Sequence, residues 1–304
     1  FKTPIAQFGA IKQKLANMAA NLYAGESACY RAAQSVEDRI VLRNAAGNSH
    51  QEAELKGVEE YVIECSILKV ACSEHMQSAA DEGIQIFGGM GFSADAPMET
   101  AWRDARISRI YEGTNEINRM LIVGMLIKKA MNGQLDLIGP ATAAGEELLG
   151  IPDFEIPDFS APFSQEKYVL KNLKKVFLII AGASVQKYGT DLEEHQQLLL
   201  SVADILIEIY MSESALLRAE KNVEKYGLEA QQHQMAMSQL YLYQANEKIC
   251  TKGREAILSF AEGDEQKALL MGLKRFTKYY NYPNVVGLRN MIAEKISAEN
   301  AYCF

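Results

Sequence analysis

Ile110-Tyr111-Glu112-Gly113-Thr114-Asn115-Glu116-Ile117-Asn118-Arg119 is the stretch on which the reading of this chain turns. A carboxylate stands directly before a glycine, and a helix is expected to open directly after it. Gly113 leaves the backbone free in φ. Thr114 is a good N-cap, and Ile117, Met120, Leu121 and Gly124 continue at helical spacing. Glu112 is therefore placed at a loop-to-helix junction beside exposed amide donors, where a positioned base or an oxyanion site can be built. On spacing alone, the same residues also describe a solvated glutamate favoured by the helix dipole.

Outward from this junction the chain reads as helix almost everywhere. Phe8, Ile11, Leu15, Met18 and Leu22 step by three and four along one face of a first helix, expected to run to about Arg43. Ala45 to Asn48 breaks it, and Ser49 with Glu52 forms a capping-box pattern for the next helix. Val58, Val62, Cys65, Leu68, Cys72 and Met76 are expected as the buried stripe of that helix. Glycines at 88, 89 and 91 end it. A shorter helix starts after Pro97, and the one after Glu112 runs to about Asn132. Antiparallel helices with short joints over 1–132 read as a helical bundle. From 133 to 164 the pattern lapses among acidic residues and Pro140, Pro152, Pro157 and Pro162, which reads as a linker. Periodicity resumes near Gln165. Thr190 with Glu193 makes another capping box, and Leu199, Val202, Leu206 and Ile209 form a stripe after it. Further helices are expected over about 227–249, 252–261, 264–279 and 285–297. No strand pattern of length appears. The fold class is all-α: a helical bundle followed by an additional C-terminal helical bundle over 165–304.

Composition bounds the function. The chain has 304 residues, 48% hydrophobic and 23% charged, which suits about two soluble globular domains. Its net charge of −8 argues against a nucleic-acid partner. No window holds the roughly 18 uncharged apolar residues of a membrane span, and no signal-peptide pattern is visible. The 5 cysteines are odd in number and lack zinc-site spacing. Cys65 and Cys72, seven apart, are expected to pack in the core of a protein from a reducing compartment. The 4 histidines are scattered with no i,i+4 pair, so no metal site is expected. Gly88-Gly89-Met90-Gly91 follows a helix rather than a strand, so it is not a dinucleotide fingerprint and by itself reads as a helix C-cap.

The Glu112 segment closely resembles the active-site signature of the acyl-CoA dehydrogenase family. Gln85-Ile86-Phe87-Gly88-Gly89-Met90-Gly91-Phe92 resembles a second signature of that family, and Arg103-Asp104-Ala105-Arg106-Ile107 a third. Phe1 through Phe8-Gly9 to Lys14-Leu15-Ala16 looks like the helix that opens its C-terminal α-helical domain. These matches cover residues 1 to about 130. Beyond them the likeness is general, to the extra helical domain of the very-long-chain branch.

The resemblance implies FAD as cofactor and a fatty acyl-CoA as substrate, dehydrogenated between its α and β carbons as in β-oxidation. It implies an electron-transfer flavoprotein as electron acceptor, and a homodimer. Glu112 matches the family's catalytic base. Tyr111 and Gly113 match positions that flank the acyl chain. Thr114, Asn115 and Glu116 match positions at the flavin of the same subunit. Gln85, Ile86, Phe87, Gly88 and Gly89 match positions that approach the adenine end of the partner subunit's FAD. Phe1 matches an aromatic that follows a flavin-binding arginine. Gly9 departs from the pattern, standing where shorter-chain members often place a flavin-contacting Gln. The family's N-terminal and middle domains have no counterpart here. The chain is therefore expected to be a C-terminal fragment, inactive alone, from the cytoplasm of a bacterium or the matrix side of a mitochondrion. The alternative is a non-catalytic helical assembly module derived from the same family. Glu112 and Gln85 to Gly89, all in place, favour the enzyme.

Overall fold

Small residues decide how the first half packs. In a computed structural model, which describes residues 1–150, 155 and 157–304 without the side chain of Thr190, the first long helix is α1 (Gly9–Ala45). Its buried face is Ala16, Ala19, Ala20, Tyr23, Ala24, Gly25 and Ala28. The stripe expected from large side chains is offset from this face: Phe8 and Leu22 are exposed, and Ile11, Leu15 and Met18 half-buried. Alanine lets neighbouring helices approach closely, so the small residues take the inside and the large ones the outside.

Ser49 caps α2 (His50–Glu60) with the full capping box, its hydroxyl accepting from the Glu52 N–H while the Glu52 carboxylate accepts from the Ser49 N–H. Such a cap contributes about 1 kcal/mol. The helix expected through to residue 88 breaks at Tyr61, and α3 (Val62–Phe87) starts anew. Its inward residues are Ile63, Ile67, Val70, Ala71, Gln77 and Ala80. The expected stripe is again offset, with Val58, Cys65 and Met76 exposed. Cys72 is half-buried, its sulfur 3.9 Å from that of Cys29 on α1. Gly88, at φ 62°, ends α3. The short α4 (Gly89–Phe92) follows, then α5 (Pro97–Ile107) and α6 (Asn115–Met131).

Between 133 and 164, expected as linker, lies the helix α7 (Ile138–Leu149). Pro140 falls in its first turn, where the missing N–H would have had no helical partner. Pro152 lies outside the described residues, as does the Thr190 side chain expected in a capping box. α8 (Ser164–Tyr188) and α9 (Gln196–Tyr226) follow. The two helices expected over 227–249 and 252–261 are one, α10 (Gln232–Phe260). Gly253 does not break it; a Cβ there would lie 2.8 Å from Leu273 Cδ1, so the glycine admits α11 (Gly263–Phe276). The last helix is α12 (Val285–Glu299).

α9, α10 and α12 pack on α1, and α9 also packs on α6. One contiguous core runs through both halves. Polar contacts tie the seam. Arg218 of α9 donates to Glu26 at 3.0 Å and lies over the Tyr23 ring, and Arg31 pairs with Glu213 at 3.0 Å. Among the described residues there is no strand, and no helix is long and apolar enough to cross a membrane.

Candidate active site

The backbone turns through the left-handed region at two consecutive residues, Glu112 at φ 58° and Gly113 at φ 78°. The second is a glycine, which adopts this freely, but the first carries a side chain and costs about 1 kcal/mol there. The turn delivers the chain to Thr114, whose hydroxyl accepts from the Ile117 N–H at 3.3 Å and caps α6. Asn118 closes it from inside the helix, donating from Nδ2 to the Gly113 carbonyl at 2.9 Å and to the Thr114 carbonyl at 3.1 Å.

Beneath the turn lies a layer of polar side chains from three helices. Lys69 of α3 donates to the Gly113 carbonyl at 2.6 Å and to Asn115 Oδ1 at 2.7 Å. Asn115 is 1% exposed, and its Nδ2 donates to Ser73 Oγ at 3.0 Å and to Glu74 at 3.1 Å. Arg119 grips Glu74 with two bonds, at 2.8 and 2.9 Å, and donates from Nε to Asp204 of α9 at 2.8 Å. Burial disfavours the Glu74 carboxylate, but the Arg119 guanidinium outweighs it and holds the group below the usual carboxylate range. Burial opposes the charge on Arg119 too, and its carboxylate partners more than restore it. Lys69 is held below its ordinary range by burial, against the opposing pull of Glu116 and Glu74.

Glu112 itself is exposed, as are Tyr111 and Gly113. Ile110, Tyr111 and Ile117 set an apolar surround about half exposed to solvent. Gln85, Phe87, Gly88 and Gly89 are exposed at the far end of α3, with Ile86 half-buried. They begin twelve residues beyond Ser73, about 18 Å along the helix. Phe1 stands at the chain's start, fully exposed and edge-on to Phe8. The residues read as functional thus form one compact turn, a second patch at the other end of α3, and an outlying aromatic. An apolar cavity of about 740 Å³ between α6, α7, α8, α9 and α11 includes none of them in its lining.

Two family models match the chain, each described as the acyl-CoA dehydrogenase C-terminal domain, one over residues 1–126 and the other over 172–275. A probable acyl-CoA dehydrogenase of Bacillus subtilis is 38% identical over 278 residues, covering 91% of this chain and 46% of that protein. The chain belongs to the acyl-CoA dehydrogenase family. The mitochondrial very long-chain specific acyl-CoA dehydrogenase of Rattus norvegicus is 27% identical, covering 91% of this chain and 41% of its own length. The crystal structure of an acyl-CoA dehydrogenase complexed with FAD from Bacillus anthracis superposes with a TM-score of 0.93 at 38% identity, covering all of this chain and 51% of that one. The chain therefore spans about half or less of the length of these relatives.

Within this dehydrogenase fold, the side chain of Asn115 lies beneath the turn. Its carboxamide is enclosed by α3 and fully engaged with Lys69, Ser73 and Glu74, so its side chain holds the turn from below. Reading the sequence missed Lys69, Glu74, Arg119 and Asp204. The signals were there: Asp204 interrupts the apolar run Leu198 to Ile209, and Lys69 sits between the core residues Ile67 and Val70. Charges that break a buried stripe need partners.

Proposed function

We propose that this chain supplies the catalytic base of an FAD-dependent acyl-CoA dehydrogenase, and that the base is Glu112. The observation that carries the reading is the strained turn. A glutamate that only favours a helix dipole needs no left-handed φ, whereas Glu112 is kept at φ 58° by a polar layer recruited from three helices. Strain maintained by surrounding structure points to function. The turn projects a carboxylate from an apolar surround that a thioester and its acyl chain would complete.

The residues present fit the cofactor. Gly89 has no neighbour within 4 Å of where a Cβ would be, and Phe87, Met90 and Phe92 are exposed beside it. A flat ring system or its nucleotide tail can approach the backbone there. At the turn, half-buried Thr114 and exposed Glu116 would lie against the flavin. FAD, when bound, would accept the hydride from the β carbon. Glu112 would take the α proton, and its own backbone N–H would donate to the thioester carbonyl as negative charge grows on that oxygen. Closure of the site would exclude water from the reacting atoms. The exposed large apolar residues of the first half support a homodimer and contact with the family's other domains. An electron-transfer flavoprotein would reoxidise the enzyme.

In the flavin-loaded protein, Glu112→Gln should slow flavin reduction by a fatty acyl-CoA about 100- to 10,000-fold, with flavin content and substrate binding kept. Anaerobic stopped-flow absorbance measures it, and a wild-type rate would remove Glu112 from the role. The 304 residues alone should bind no stoichiometric flavin and turn over no acyl-CoA. Either activity in the isolated chain would overturn that part of the proposal.

A further inference from the structure

We infer that Lys69 is the positioning residue of the Glu112 turn. This rests on the reading of Glu112 as base. The ammonium of Lys69 is the point where α3 meets the turn, bonded to the Gly113 carbonyl at 2.6 Å and to Asn115 at 2.7 Å. Gly113 directly follows the carboxylate-bearing residue, so a fixed Gly113 carbonyl fixes the peptide on which Glu112 sits. Asn118 grips the same carbonyl from the other side at 2.9 Å. Two donors on one oxygen, from two helices, define its place better than either alone.

The support behind Lys69 reaches into the second half of the chain. Asn115 is held by Ser73 and Glu74, Glu74 is held by both arms of Arg119, and Arg119 is anchored on Asp204 of α9. Apart from Ser73, every link is a charge or a side chain bonded to one, at 3.1 Å or less, so the layer has little freedom to shift. A base must lie within hydrogen-bond reach of its proton, and a misplacement of about 1 Å can cost on the order of 100-fold in rate. Lys69 also brings positive charge to the turn. The groups that face it are Glu112 and Glu116 on the turn and α6, Glu74 on its own helix, and Arg109 after α5.

The test uses the flavin-loaded protein. Lys69→Met should keep flavin content and KM for acyl-CoA and lower kcat about 100-fold. Lys69→Arg should restore most of the lost kcat. If Lys69→Met fails to load flavin, Lys69→Gln is read by the same measures. Wild-type kcat in Lys69→Met overturns the inference, as does a loss that Lys69→Arg shares in full. The Glu112→Gln protein separates the two ideas. If it keeps wild-type flavin reduction, the base reading fails and the role of Lys69 fails with it. If Glu112→Gln is inactive while Lys69→Met is unimpaired, only the positioning role fails.

Discussion

Residues 1–132 and residues 164–304 are both all-helical, yet they spend their apolar side chains differently. In the first region eleven of the eighteen buried apolar residues are alanine; in the second, only eight of thirty-six. Large apolar side chains left exposed number eighteen in the first region and nine in the second. The second region has a core of Leu, Ile, Val, Met and Phe that stabilises it by burial, at about 1.5–3 kcal/mol for each large side chain. The first region packs its helices closely on alanine and turns its large residues outward. One side of it is covered by α9, α10 and α12. Phe87, Met90, Phe92, Tyr111 and Ile117 stay exposed among or next to the candidate site residues. Exposed apolar surface on that scale marks a place where something else docks. The first region is shaped by what it touches, the second by what it encloses.

The strongest way to break this comparison is at the link between the regions. Arg119→Met keeps the apolar stem but takes the paired cation from Asp204 and leaves Glu74 only the longer pair with Arg109 at 3.9 Å. It should lower the unfolding free energy by about 4 kcal/mol, the usual range for removing one member of an enclosed ion cluster. Urea unfolding measures it. A loss below about 1 kcal/mol would show that this ion cluster is not what joins the two regions.

The two cores should answer opposite substitutions. Ile205, fully buried in α9, is a large side chain whose truncation leaves a void. Ile205→Ala should cost about 3 kcal/mol. Ala20, fully buried in α1, has no room to grow. Ala20→Leu should cost about 2 kcal/mol through overpacking. Urea midpoints for both report it, and a neutral Ala20→Leu would mean that α1 is not closely packed.

A smaller effect is expected with pH at the seam. His75 of α3 lies edge-on to Tyr241 of α10, with ring centroids 5.8 Å apart, and its Nδ1 has no hydrogen-bond partner. Burial pushes its pKa below the ordinary histidine value. As pH falls through about 6.5, the unfolded chain takes up this proton before the folded one does, so stability is lost on the acid side. His233 is shifted the same way, by burial and then by Lys295. Glu74, held below its usual range, contributes only at lower pH, where stability is lost as its carboxylate protonates. His75→Phe should therefore flatten the fall in Tm between pH 7 and 5.5. An unchanged slope would mean that the ring is open to water.

How much of this was legible depended on the side-chain size at each face. Helix boundaries at Ser49, Pro97 and Thr114 could be read because capping and proline chemistry is local. The inward faces of α1 and α3 could not, because reading large apolar residues as buried fails where alanine is inside. The proline-marked stretch hid α7, since a first-turn proline is silent to the helix. At the candidate site, Glu112 and Gly113 stand out in the sequence because they are contiguous. Lys69, Glu74 and Asp204 come from other helices, and only the fold brings them beneath the turn.

The smallest expected effect sharpens the comparison most. Phe92 is 82% exposed, at the end of α4 beside Gly89, and in a self-contained domain such a side chain would be a liability. If it faces outward to meet another surface, folding of this chain does not depend on it. Phe92→Ser should then change the unfolding free energy by less than about 0.5 kcal/mol, the usual range for a surface substitution. The same change should reduce concentration-dependent self-association of the 304 residues, as seen by light scattering. In the second region the control is Leu240, fully buried in α10, where serine should destabilise severely. A loss above 1 kcal/mol at Phe92 would place that ring in the fold's own packing and count against an outward-facing role for the whole α3–α4 end.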